Sequence, residues 1–296
     1  LPELTEDILK IAFNLPPEKA VKYLEQKGFK FSWSWTDTWQ EAHDKAFTVA
    51  KVMRADVLQS IRQMVQKGIS EGITFDKFQR SLEPYLKLAG WWGRTWATDE
   101  DGNLLDETGN PWPLDSGGNP IIPDDAVPPQ LGSPWRLQRI YDTNLQQSLN
   151  AGRYEGMMEV VEERPYWKYI SVIDGHQTAL CDWLNQKIFP ALDAIWKKFY
   201  PMNHFGCRGR MISVSQHEVE RDGLKVQSSD GLLGTAEALV STKTGEVAEV
   251  ATIKTADGTL QTAPGFSHGP GASLQPDLEK YDPDIRKQLK NDLAKK

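Results

Sequence analysis

Apolar residues recur at helical spacing in three long stretches of this chain. From Asp37 to about Ser70, the residues Phe47, Ala50, Val57, Leu58, Ile61, Met64 and Val65 fall at i, i+3 and i+4 with no intervening proline. That spacing predicts one long helix, on the order of 45 Å at about 1.5 Å per residue. Gly72 interrupts it, Thr74 is placed to cap a second helix, and Phe75, Phe78, Leu82 and Leu86 form a second stripe, kinked or broken near Pro84. The two make a helical hairpin that ends in GWWGR (90–94), a bend with one tryptophan ring packed on each side. In the third stretch, Ser133-Pro134 supplies an N-cap and first-turn pair for a helix to about Glu163, with Leu137, Ile140, Tyr141, Leu145 and Leu149 on its face. Pro16-Pro17 opens a shorter helix at the N-terminal end, carrying Ala20, Val21 and Leu24 and stopping at Gly28. Between it and the hairpin lie Phe29, Phe31, Trp33, Trp35 and Trp39, read as core aromatics under a helix or as a partner-facing aromatic strip.

Two-residue alternation takes over after Arg164-Pro165. Trp167, Tyr169 and Ser171 alternate with Lys168, Ile170 and Val172 up to the Asp174-Gly175 turn, which predicts a strand. Gln186 to Phe189 reads as a second short strand and Met211 to Val214 as a third. Ala191 to Tyr200 has helical spacing closed by Pro201, and Ser215 to Glu218 matches a capping box. A Ser- and Gly-rich linker (227–235) follows. Beyond it, Val247 to Thr255 and Thr259 to Thr262 flank an Asp257-Gly258 hairpin signal. The stretch 97–133 has little periodicity and many D-G, G-N-P and proline signals, which favours one or two small hairpins projecting from the body. The fold class expected is α+β: a long helical hairpin, a small mixed α/β core with short antiparallel strands, and a β-rich C-terminal appendage. The segments are 1–96 (helical), 97–133 (arm), 134–222 (core) and 223–296 (appendage and polar tail).

Composition narrows the function classes. The chain has 296 residues and is 39% hydrophobic, enough to bury a core. Its formal net charge of −7 argues against wholesale duplex binding, because neutralising phosphates requires clustered Lys and Arg. A local basic face remains in Lys197, Lys198, Arg208 and Arg210, so a DNA-binding packaging factor is one reading. No apolar run approaches the roughly 18 residues that span a bilayer, and LPELTEDILK at the start lacks the regions of a signal peptide, so no membrane partner is expected. Two cysteines in a chain of this length point to a reducing compartment.

Both cysteines fall in the densest stretch, 166–210. His176-x4-Cys181 and His204-x2-Cys207 supply two nitrogen and two sulfur donors, a combination that suits tetrahedral zinc. Three states are open to these residues: a bound metal, a pair of buried free thiols, or a Cys181–Cys207 disulfide. A metal-dependent hydrolase or nuclease on the His176, Cys181, His204 and Cys207 region, with Asp174 and Asp182 nearby, is the alternative to a non-enzymatic role. His43, His217 and His268 read as solvated or turn residues.

Several stretches together resemble a known family: PPEKAVKYLEQKG (16–28), AFTVAKVMRADVLQSI (46–61), GITFDKF with AGWWGR, and above all RPYWKYISVIDGHQTALCDWLNQKIFP with YPMNHFGCRGR. They are similar to the phage Mu F-like minor head proteins, also called phage head morphogenesis proteins, across most of residues 14–285. The resemblance implies a non-enzymatic virion protein associated with the portal protein, the major capsid protein and the capsid interior, close to packaged double-stranded DNA. It would be made in the host cytoplasm, in a tailed phage or prophage. It also implies a C-x2-C…H-x2-C-x-C zinc pattern in some members. Thr178 and Gly209 stand at two of those cysteine positions here, so the carry-over reaches Cys181, His204 and Cys207, with His176 as the available fourth ligand.

Overall fold

A computed structural model of the chain describes residues 17–37, 45–242 and 245–270. His43, Trp39 and the polar tail beyond residue 270 lie outside the described residues. Helix α1 (Pro17–Gln26) buries Ala20 and Leu24, the face its spacing predicts. The chain then forms strand β1 (Gly28–Phe29), a 3-10 turn (Trp35–Asp37) and strand β2 (Ala46–Phe47), which pairs parallel to β1. The long helix expected from Asp37 is therefore shorter: α2 runs from Ala55 to Glu71. Phe47, Val49 and Val52 are buried, but from extended and turn backbone. Lys51 has φ +62°, and Arg54 is extended (φ −123°, ψ 132°), so the helix starts only after it.

Helix α2 ends at Gly72 in the left-handed region (φ 64°), a conformation that costs glycine little. Thr74 then caps α3 (Phe75–Leu88) by accepting from the Lys77 amide. Of the kink or break expected near Pro84, the break does not occur: α3 continues through it to Leu88. Pro84 sits on the exposed face, where water can satisfy the carbonyl that its missing N–H leaves free. Helix α4 (Pro134–Glu159) starts at its predicted cap, with the Ser133 hydroxyl accepting from the Arg136 amide at 3.2 Å. These four helices enclose the first core, around Leu24, Leu58, Ile61, Phe78, Leu137 and Tyr141. The Tyr141 hydroxyl donates to the Ile73 carbonyl. Trp91 is buried, with its indole N–H on the Lys51 carbonyl, while Trp92 is only partly buried. Phe29 and Phe31, expected in the core, are exposed.

The arm between α3 and α4 holds three turns of one design rather than one or two. Asp99, Asp106 and Asp115 each open a D-x-x-G-N motif, and each carboxylate accepts backbone amides two and four residues on, at 2.8–3.0 Å. The glycine in each motif has φ between 82° and 90°. Bridges Thr98↔Leu104, Leu105↔Pro111 and Leu114↔Pro120 close the three turns. At the base, Ala97, Leu105 and Leu131 join the first core and the Trp33 indole donates to the Glu107 carbonyl. Farther out, Leu114, Ile121 and Val127 are exposed.

A second core forms past α4. Strand β3 (Tyr166–Ile170) is the middle of an antiparallel sheet between β4 (Ile188–Pro190) and β5 (Arg210–Val214). Helix α5 (Ala179–Leu184) links β3 to β4. The helix expected over 191–200 is one turn, α6 (Trp196–Phe199), because Asp193 caps the Ile195 amide and Leu192 points to solvent. Helix α7 (Gln216–Arg221) opens with the predicted capping box between Ser215 and Glu218. The expected 227–235 linker is instead tied down: Ser229 is buried and bonded to Asp193, and β6 (Leu233–Leu239) starts within it. A sheet β6–β7–β8 follows, with β7 (Val247–Thr255) and β8 (Gly258–Gln261) meeting at the predicted Asp257-Gly258 turn. Ala251 and Ile253 of β7 belong to the same core as Trp167, Phe189, Phe199, Tyr200 and Met211. The class is the α+β arrangement expected, a helical hairpin region with small sheets.

Helix α4 contributes Leu137, Tyr141 and Leu145 to the first core and Met157 to the second. Two glycines on it make opposite predictions. A Cβ on Gly152 would lie 2.9 Å from the Ala20 amide nitrogen of α1, whereas one on Gly156 would meet only the Lys19 Nζ at 3.8 Å. Gly156→Ala is expected to stabilise by about 0.5–1 kcal/mol through helix propensity, and Gly152→Ala to destabilise by about 1–3 kcal/mol through overpacking against backbone. Urea unfolding of both variants checks the pair, and a stabilised Gly152→Ala would refute the α1–α4 contact.

Candidate metal centre

Alternation along β3 turns Trp167 and Tyr169 inward, and both are fully buried. The chain leaves the strand through an exposed loop, where Asp174-Gly175 makes its turn, and enters α5. Thr178 caps that helix by accepting from the Cys181 amide at 3.3 Å, which sets Cys181 in the first turn facing the core. His204 and Cys207 come from the irregular segment between α6 and β5, closed by the Cys207 amide donating to the His204 carbonyl at 3.1 Å. Asn150 of α4 donates to the Gly209 carbonyl at 3.3 Å and anchors that segment.

Cys181, His204 and Cys207 thus converge, with their donor atoms all within 4.8 Å of one another. The sulfurs are 3.9 Å apart and both are free thiols, and His204 Nε2 is 3.3 Å from Cys181 Sγ. The His204 Nδ1–H donates to the Phe205 carbonyl at 2.9 Å, which leaves the Nε2 lone pair for the sulfurs. His176 is exposed in the loop after β3 and lines a surface pocket with Cys181, His204 and Arg208, but it is not within that group. Asp174, instead of facing the sulfurs, is held in a two-bond fork by Arg208 at 2.6 and 2.7 Å. Arg208 holds its carboxyl at about 2. Asp182 is exposed on α5, so among the described residues the three-donor group contains no carboxylate.

The electrostatics favour one thiolate. The bond from Cys181 pulls the Cys207 thiol down to about 6 despite its burial, with help from the backbone of Asn203 and Gly209 and the Tyr169 hydroxyl. Cys181 is pushed up by that same bond and by burial. For His204, burial works downward, but the bond and charge of Cys181 and the Phe205 carbonyl together outweigh it, and the net direction is up.

The donor set suits zinc. Two thiolates at ~2.3 Å from one tetrahedral ion would lie about 3.8 Å apart, and the observed sulfur separation is 3.9 Å. Two residues that the motif spacing does not mark also reach the site. The Tyr169 hydroxyl is 3.4 Å from Cys181 Sγ and 3.7 Å from Cys207 Sγ, and the Asn203 amide donates to it at 3.2 Å. Asn203 is adjacent to His204 in sequence; Tyr169 gave no signal beyond strand alternation.

Comparison with known proteins bears on what this assembly of elements is. The family model described as Phage Mu protein F like protein matches residues 59–212, from α2 through the Cys181–His204–Cys207 group into β5. The chain belongs to this family. Phage Mu F-like relatives include protein F of Escherichia phage Mu, whose name assigns it to capsid assembly. It is 35% identical over 277 residues, 92% of this chain and 58% of that protein. The Mu-like prophage FluMu F protein of Haemophilus influenzae is 37% identical over 246 residues, 82% of this chain and 53% of its own length. The chain therefore spans little more than half the length of these Mu F-like relatives. No solved structure gives a significant match. Among the described residues, no helix is long and apolar enough to cross a membrane.

Proposed function

We propose that this protein is a structural component of head assembly in a tailed double-stranded DNA phage or prophage. It meets the portal protein and the major capsid protein at the capsid interior, close to packaged DNA, and catalyses no reaction. The observation that carries this reading is the 35% identity to a Mu protein named for capsid assembly, sustained over 277 residues and so through both cores, the arm and the metal centre. The site chemistry is in keeping with it: the thiols are buried, Asp174 is spent on Arg208, and the donors join α5 to the segment before β5. Such a site holds a fold together. Arg208 also leaves the Lys197, Lys198, Arg208 and Arg210 group one charge short for DNA.

Co-expression with the portal and major capsid proteins of the same phage tests the assignment. The expected result is co-elution with portal on size exclusion and recovery in assembled heads by mass spectrometry. A chain absent from heads and monomeric beside portal would refute it.

We also propose that Cys181, His204 and Cys207 hold one structural zinc ion. On this reading, a strong chelator lowers the thermal midpoint, and added Zn²⁺ restores it, since metal binding free energy is folding free energy. Differential scanning fluorimetry reads both steps, and an unchanged midpoint in chelator opposes the proposal.

A further inference from the structure

Three protein donors leave a tetrahedral ion one vertex short, and the structure offers two sides from which it can be filled. On the outside is the pocket that Cys181 and His204 share with His176 and Arg208. On the inside is Tyr169, which lies beyond that lining.

We propose that the hydroxyl oxygen of Tyr169 is the fourth donor and closes the Cys181–His204–Cys207 centre from within. This rests on the zinc reading above. Three observations favour the inner side. First, the oxygen is already 3.4 and 3.7 Å from the two sulfurs. A tetrahedral site with an oxygen at ~2.0–2.2 Å and a sulfur at ~2.3 Å from the ion calls for an edge of about 3.6 Å.

Second, the oxygen is held in place on its far side. The Asn203 side-chain amide donates to it at 3.2 Å and to the Phe199 carbonyl at 3.3 Å, which fixes the amide's orientation. The phenol proton is thereby directed at the sulfurs, and it passes to solvent when an ion takes its place. Third, Gly209 makes room: any Cβ there would overlap the Tyr169 hydroxyl. The rival donor, His176, sits in a loop whose turn is pinned by the Asp174–Arg208 fork, and its ring lies outside the donor group.

Cobalt(II) substitution of the full chain tests this, because its visible spectrum reports coordination. In the wild-type protein the thiolate-to-cobalt bands are expected to be unaffected by added imidazole, since no vertex is open. Tyr169→Phe keeps the buried ring and removes only the oxygen. It should bind cobalt at least about tenfold more weakly, and its spectrum should shift when imidazole enters the vacated vertex. His176→Ala should leave affinity and spectrum unchanged.

A wild-type spectrum that shifts with imidazole, or a His176→Ala variant that loses affinity while Tyr169→Phe keeps it, overturns the Tyr169 assignment and leaves the metal centre standing. A wild-type chain with no thiolate-to-cobalt bands at all removes the metal reading and this proposal with it.

Discussion

Trp167→Ala is expected to lower the unfolding free energy by about 3–5 kcal/mol, the range for truncating a large buried aromatic. Trp167 is fully buried in the central strand of its sheet. Its ring meets Tyr154 of α4 edge-on at 5.3 Å, Tyr200 at 5.9 Å and Trp196 of α6 at 6.4 Å. Removing it opens a cavity where three elements join. Trp167→Phe should cost much less, about 1–2 kcal/mol, because the indole N–H has no protein acceptor to lose. Denaturant unfolding followed by circular dichroism separates the two variants. A cost below about 1 kcal/mol for Trp167→Ala would mean that the second core is not built on this ring.

Asp142→Asn is expected to act in the opposite direction, and only at neutral pH. Asp142 is 7% exposed on α4, where the Gln138 amide donates to it at 2.8 Å. Burial pushes its carboxyl up to about 6, more than that bond and Arg139 pull it down. The unfolded chain releases this proton near pH ~3.9, so the folded state binds it more tightly. Stability from this group is complete below about pH 4 and is lost as pH rises through about 6. The asparagine variant should therefore exceed wild type by on the order of 2 kcal/mol at pH 7 and match it near pH 4. Urea midpoints at the two pH values decide it. Equal midpoints at pH 7 would show that the carboxylate is stabilised in the folded chain.

Local chemistry made much of this fold legible. The stripe of α3, the Ser133 cap, the Ser215–Glu218 box and the Asp257-Gly258 turn depend on residues within one or two turns of each other, and all stand where the sequence puts them. The stretch from Ala46 to Val52 misled because Phe47 and Ala50 continue the helical period of α2, while the pairing that competes with it, Gly28↔Ala46, is non-local. Cys181, His204 and Cys207 were readable as donors by residue type alone. Tyr169 was not, because an alternating aromatic in a strand looks the same whether its hydroxyl meets a thiol or nothing. His176 has the right chemistry and a sequence position near Cys181, but the turn that precedes it carries it to the surface.

The arm follows a different logic from the rest of the chain. Each of its D-x-x-G-N turns is closed by its own aspartate; the Asp106 turn still rests on the body through Leu105 and Trp33, whereas the outermost, at Asp115, is flanked by exposed Leu114 and Ile121. That outermost turn is a self-contained unit, and its removal or duplication is expected to leave the inner two in place. The length of the arm can therefore be changed in discrete steps, and variants with two or four turns would show whether that length matters to head assembly.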